Sequence, residues 1–221
     1  EDMVDAQRGA LLDSTSPNPS VETLLHTFLP HKFIDHTHST AVLAVTDQPD
    51  GDKIAADIYG DRAALVPYVM PGFDLAIKAA EVYEANRDVE GLILLKHGIF
   101  SFGETAREAY ERMISLVTVA EDRLKTGRKK VFVSAALPKK IASVADVAPI
   151  LRGLIADNDG ASEPKRMVLD FRTNKAIRTY VNGKEAARYS QIGVVTPDHN
   201  IRTKNWPLLV AAPDAGDVPD F

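Results

Sequence analysis

The chain has 221 residues, 45% of them hydrophobic and 26% charged, proportions of an ordinary globular protein that exclude wholesale disorder. Lys and Arg total 26 against 31 Asp and Glu, a net charge of −5, so no global field draws the chain to nucleic acid or to an anionic membrane. Cysteine is absent, which excludes thiolate nucleophiles, disulfide frameworks and thiolate metal sites.

No apolar run approaches the roughly 18 residues of a membrane span. The start at Glu1-Asp2-Met3 lacks the charged-then-apolar layout of a signal peptide. The expectation is a soluble, cytoplasmic protein, with a beginning that reads as trimmed or partial.

Along the chain, residues 14–20 are polar and proline-punctuated, a loop. Ser20 stands where it would cap a helix carrying Val21, Leu24, Leu25, Phe28 and Leu29, which Pro30 ends. Phe33 to Val45 reads as a strand, with Ile34, His36 and His38 on one face by period two. Asp47 to Gly51 signals a turn, Pro67 and Pro71-Gly72 bracket a loop, and Leu75 to Ala85 reads as a short helix.

Val89 to Lys96 is nearly continuous apolar sequence, fit for a buried strand. Thr105 followed by Glu108 forms a capping box, and Ala106, Ala109, Tyr110, Met113, Val117, Ala120 and Leu124 carry the helical stripe beyond it. After the basic run from Lys125 to Lys130 the character changes. Asp146 is placed to cap a helix that tolerates Pro149 in its first turn. From Met167 the pattern reads strand, turn, strand, with Val181-Asn182-Gly183-Lys184 as a type I′ hairpin. Ala211 to Phe221 reads as a loose end. The expected organisation is a mixed α/β core over residues 1–130 and, over 131–221, a helix and β-hairpin extension of the same domain.

Candidate chemistry gathers on the histidines. His36 and His38 lie two apart on the expected strand, so their imidazoles project from one face and can share a metal ion. His97, at the end of the apolar strand and before Gly98, is the third candidate. Three neutral imidazoles with an open fourth position suit a catalytic zinc-type site. The same pair also fits two strand histidines facing solvent. Glu22, in the first turn of the preceding helix, is accounted for by the helix dipole, worth about 0.3–1 kcal/mol, or by an acid/base role beside the metal.

Five segments in order resemble the class II (zinc-dependent) aldolase/adducin superfamily: Pro19-Ser-Val-Glu22, Asp35-His-Thr-His-Ser39, Pro67-Tyr-Val-Met-Pro-Gly72, Leu94-Leu-Lys-His-Gly-Ile-Phe100 and the capped helix from Thr105. The nearest subgroup is the aldolase half of bifunctional aldolase/short-chain dehydrogenase proteins, of the rhamnulose-1-phosphate aldolase type, which the tail segment Val195 to Lys204 also resembles. The resemblance implies a three-layer α/β/α fold around a mostly antiparallel sheet. It implies His36, His38 and His97 as ligands of a divalent metal, most often Zn²⁺, and Glu22 as the acid/base. His199 and Arg202 are substrate-binding candidates, although Arg202 and Lys204 fit a solvated basic edge as well.

The implied activity is metal-dependent retro-aldol cleavage of a ketose or ketose phosphate, with L-rhamnulose 1-phosphate giving dihydroxyacetone phosphate and L-lactaldehyde. The alternatives are a sugar-phosphate 4-epimerase and a non-catalytic, adducin-like assembly module. A homo-oligomer, a tetramer by resemblance, is expected. Two family features are missing: the Gly-rich phosphate-binding segment upstream of Glu22 and a Gly-x-Gly-x-x-Gly dinucleotide motif. The N-terminal part of the family domain is therefore expected to be absent from this sequence.

Overall fold

Apolar residues that run nearly unbroken along a short strand, as at residues 91–94, need cover on both faces, and the computed structural model supplies it. It describes residues 2–127, 132–137, 140–157 and 165–216. Two compact units form: residues 1–129 with 194–205, and residues 130–193 with 206–221. The boundary expected from sequence at 130 falls outside the described residues, as do the basic residues 128–130 and the last five of the tail.

In the first unit, α1 (Asp2–Gly9) and α2 (Thr23–Phe28) lead into β1 (Phe33–Thr37), followed by α3 (Thr40–Thr46), α4 (Gly51–Tyr59) and β2 (Ala63–Val66). Then come α5 (Phe73–Ala85), β3 (Gly91–Leu94), β4 (Gly98–Gly103) and α6 (Ala106–Lys125). The sheet order is β1-β4-β3-β2. β1 pairs with β4 and β4 with β3 antiparallel, while β3 and β2 run parallel, so the sheet is mostly antiparallel.

Period two sorts the core. Leu92, Leu94, Phe100 and Phe102 face α2 and α5, packing with Leu25, Leu75, Ala79 and Tyr83. Ile93 and Ile99 face the opposite way, against Val42, Val45, Tyr59, Met113 and Leu116 of α3, α4 and α6. Helices thus cover both faces, giving the three layers that the family resemblance implies.

The expected strand from Phe33 to Val45 is corrected at Ser39. Its backbone is extended and its hydroxyl accepts from Val42 N–H, so Ser39 caps α3 and residues 40–46 become helical. Four of those seven, Val42, Leu43, Val45 and Thr46, are buried, and packing overrides the strand preference of a β-branched run. Ser20 accepts from Glu22 N–H at 3.1 Å, while the helix begins at Thr23. The Thr105 cap stands as read, accepting from Glu108 N–H. The Glu108 carboxylate reaches back to Glu104 N–H, one residue before the capping-box position.

Tyr59 is 2% exposed, and its hydroxyl finds no hydrogen-bond partner among the described residues. Burial pushes its phenol up to about 12. Because the folded value lies above the unfolded one near 10, the stability it contributes is complete below pH 10. That contribution is lost as pH rises toward 12. Tyr59→Phe removes the unsatisfied hydroxyl and is expected to raise unfolding free energy at pH 7 by about 1 kcal/mol. It should also flatten the alkaline loss; a lower urea midpoint than wild type at pH 7 would contradict this.

In the second unit, α7 (Val144–Leu154), α8 (Lys175–Val181) and α9 (Ala186–Tyr189) are helical. The β-rich C-terminal reading is corrected: among the described residues no strand follows Gly103, and what remains is isolated bridges such as Ser134 with Gly183. Asn174 caps α8 by accepting from Ile177 N–H, and Asn182 closes that helix. The Asn-Gly pair therefore acts as a helix stop rather than a hairpin turn. At Gly183 the Tyr189 hydroxyl packs where a Cβ would stand, and Phe132, Tyr180 and Tyr189 cluster with centroids 4.8–5.6 Å apart. The cap of α7 is Ser143, not Asp146, which lies in the first turn; Pro149 lies inside the helix.

After the second unit the chain returns to the first, where residues 194–205 carry α10 (Pro197–Arg202). No helix among the described residues is long and apolar enough to cross a membrane.

Candidate metal centre

Three elements of the first unit bring the candidate residues together. Glu22 is the residue from which α2 starts. His36 lies in β1, and His38 follows its end. His97 closes the turn between β3 and β4. Lys96, just before it, adopts φ 60°, a left-handed conformation costing a non-glycine residue roughly 1–2 kcal/mol. Lys96 N–H donates to the buried Thr46 hydroxyl at 3.2 Å, which anchors this turn and aims His97.

The four side chains converge on one point. Glu22 Oε1 lies 2.7 Å from His97 Nε2, 3.3 Å from His36 Nε2 and 3.5 Å from His38 Nε2. One ligand atom from each of the four lies within 4.8 Å of every other. His97 is 2% exposed. The His36 ring stacks on Phe100 with centroids 4.1 Å apart, which ties its orientation to the core.

Proton bookkeeping tests whether a cation fits. His36 Nδ1 donates to the carbonyl of Ile99 at 3.0 Å, and His38 Nδ1 donates to Asp198 Oδ2 at 2.8 Å. Both acceptors lack a proton, so in a neutral ring each Nε2 presents a lone pair. Those two nitrogens lie 3.2 Å apart and face the Glu22 carboxylate. Lone pairs converging at this distance need a positive charge between them. Nitrogens on one tetrahedral ion at the usual ~2.0–2.1 Å lie roughly 3.3–3.4 Å apart, so the donor set suits a divalent metal.

Hydrogen bonds from His36, then His38 and His97, hold the Glu22 carboxyl far below the usual carboxylate range, against the opposing effect of burial. The bond to Glu22 raises the His38 imidazole, with Asp198 adding to it and burial opposing. The bond from His38 in turn lowers the Asp198 carboxyl.

Gly98 is required by this packing. A Cβ there would stand 2.6 Å from the Thr37 carbonyl oxygen and 3.1 Å from both His36 Cε1 and His38 Cδ2. The strand backbone therefore runs directly against the two imidazoles, and a larger residue would displace them.

Of the six residues singled out from sequence, four meet here. His199 turns back instead: its Nδ1 is hydrogen-bonded to Thr196 Oγ1, the cap of α10. Arg202 is exposed and reaches Asp198 Oδ1 at 3.5 Å. The residue that sequence reading passed over is Asp198. It immediately precedes the candidate His199 in Thr-Pro-Asp-His, but nothing local marks it as the partner of a histidine 160 positions earlier.

Comparison with known proteins places the chain in a family. The family model described as "Class II Aldolase and Adducin N-terminal domain" matches residues 1–124, more than half of the chain. The chain belongs to the class II aldolase and adducin family. A second family model, "Aldolase class II, second domain", matches residues 142–221.

Among individual relatives, "Uncharacterized oxidoreductase YuxG" of Bacillus subtilis (strain 168) is 38% identical over 226 residues. That alignment covers 99% of this chain but 32% of the relative, so the chain spans about a third of that protein's length. The solved N-terminal class II aldolase domain of a conserved protein from Thermoplasma acidophilum is 38% identical, with a TM-score of 0.51 over 55% of this chain and 56% of that one. A sugar-phosphate aldolase from Thermotoga maritima is 22% identical, with a TM-score of 0.42 over 52% of this chain and 58% of the other.

Proposed function

We propose that the chain is a metal-dependent aldolase acting on a ketose phosphate, with L-rhamnulose 1-phosphate as substrate and dihydroxyacetone phosphate and L-lactaldehyde as products. The observation that carries this reading is the convergence of three imidazole nitrogens and the Glu22 carboxylate on one point. His36, His38 and His97 would hold the ion, most simply Zn²⁺. When bound, the ion would act as a Lewis acid on the substrate's carbonyl and neighbouring hydroxyl oxygens. Neutral imidazoles leave it the full charge that carboxylate ligands would partly cancel.

Cleavage removes the proton from the C4 hydroxyl and breaks the C3–C4 bond. C4 becomes the aldehyde carbon, and the electron pair stays on the C1–C3 fragment as an enediolate. A proton delivered to C3 completes dihydroxyacetone phosphate. Glu22 is the group assigned to both transfers, since its carboxylate lies among the ligands and can take up the C4 hydroxyl proton and return it to C3. Arg202, paired with Asp198 at the edge of the cluster, is the cation proposed to meet the phosphate, with His199 at the same helix turn. By family resemblance the working form is a homo-oligomer, whose size light scattering would give.

The test is product analysis on the Zn²⁺-loaded chain supplied with L-rhamnulose 1-phosphate. Equimolar dihydroxyacetone phosphate and lactaldehyde are expected. Return of a single epimerised ketose would replace this reading with a 4-epimerase. Failure to take up metal or turn over would leave the assembly-module reading.

A further inference from the structure

Asp198 touches none of the atoms assigned to the reaction, yet it is built into the cluster. Its Oδ2 accepts from His38 Nδ1 at 2.8 Å, while Oδ1 faces Arg202 Nε at 3.5 Å. Thr196, buried at 5%, caps α10 by accepting from His199 N–H, and Pro197 follows at the first helical position. Asp198 is the next residue, in the first turn. Val194 N–H donates to Asn205 Oδ1 at 3.2 Å, which ties the two ends of the returning segment together. The carboxylate is therefore presented by a closed, capped element rather than by a loose tail.

The three histidines differ in what holds their second nitrogen. His36 has a neutral main-chain carbonyl, that of Ile99. His97 Nδ1 is buried with no hydrogen-bond partner among the described residues. His38 alone of the three has a charged acceptor. A carboxylate behind an imidazole fixes the tautomer whose far nitrogen carries the lone pair, and it makes that lone pair a stronger donor.

We propose that Asp198 is a positioning residue that orients His38 as a metal ligand through Nδ1, so that docking of α10 onto the rest of the first unit and metal affinity are coupled. This rests on the reading of His36, His38 and His97 as metal ligands. Coupling is reciprocal: if α10 tightens the metal, the metal must hold α10 by the same factor. The segment 194–205 thereby becomes part of the metal site, although the three histidines all precede it by about a hundred residues or more.

Co²⁺ titration of the full chain, followed by its visible absorption and by calorimetry, tests the proposal without reference to turnover. Wild type is expected to bind about one ion. Asp198→Ala should weaken binding about 10–100-fold and shift the Co²⁺ band, because His38 is free to rotate. Asp198→Asn, which keeps an acceptor oxygen but no charge, should lose less. Hydrogen exchange at the α10 amides should slow on Co²⁺ addition in wild type and not in Asp198→Ala. As a control, Ala at the exposed neighbour Asn200 should leave affinity and spectrum unchanged.

If wild type binds Co²⁺ and Asp198→Ala matches its affinity and band, the proposal is overturned and the metal reading stands. If Asn200→Ala weakens binding as much as Asp198→Ala, helix integrity rather than the carboxylate is responsible, which also overturns it. If wild type takes up no Co²⁺, the metal reading fails and the coupling falls with it.

Discussion

Glu22→Gln is expected to leave metal bound while lowering kcat for ketose phosphate cleavage by roughly 10²–10⁴-fold, the range of a lost general acid/base. The reason lies in the geometry. Glu22 Oε1 is the atom on which all three imidazole nitrogens close, at 2.7–3.5 Å. A glutamine keeps an oxygen in that place and so preserves the donor set, but its amide can neither take up nor return a proton at the carbon being protonated. Steady-state rates of dihydroxyacetone phosphate release, beside elemental analysis of the same preparation, separate the two effects. Wild-type kcat in a variant that retains its metal would remove Glu22 from the proton transfer. Loss of metal together with activity would make it a ligand instead.

The second large effect is expected at His36. His36→Ala removes one of three imidazole donors, and metal content should fall from about one ion per chain to near zero. The fold should survive. The lost ring leaves a gap beside Phe100, on which it stacks, and a buried large-to-small change of this kind costs a few kcal/mol. Circular dichroism should therefore be unchanged while the metal is gone. A variant that still holds stoichiometric metal would show that His38, His97 and Glu22 suffice, and His36 would be reassigned to packing.

Much of the centre was legible because its spacing is local. His-x-His, which starts in β1 and ends one residue past it, needs no tertiary information beyond the period of extended backbone to place both rings on one side. A histidine followed by glycine, at the end of an apolar strand, marks a backbone that something approaches closely. Gly98 turns out to lie against those same two rings. The helix from Thr105 was legible for a similar reason, since its cap and stripe lie within one continuous segment.

The misreadings have equally specific causes. Residues 40–46 are β-branched and apolar, and they read as strand until Ser39 is seen to cap them and α6 to receive their buried face. Asn182-Gly183 serves a hairpin or a helix end equally well. The choice was made by the Asn174 cap and the ring of Tyr189, neither adjacent to it. Asp198 was invisible for the strongest reason: its role depends on a contact 160 residues away in sequence.

That separation sets an order of assembly during synthesis. Glu22, His36, His38 and His97 have all been polymerised by residue 97, and Asp198 follows about a hundred residues later. At ordinary translation rates this interval lasts roughly 5–20 s. A growing chain therefore displays three imidazoles and a carboxylate well before α10 exists to lock His38. On the proposed coupling, an ion that visits early would meet a site with an unrestrained ligand and be held more weakly. The same coupling would place selection among competing metals after the polypeptide has passed Asn205 and closed the segment, in the finished molecule rather than in the nascent one.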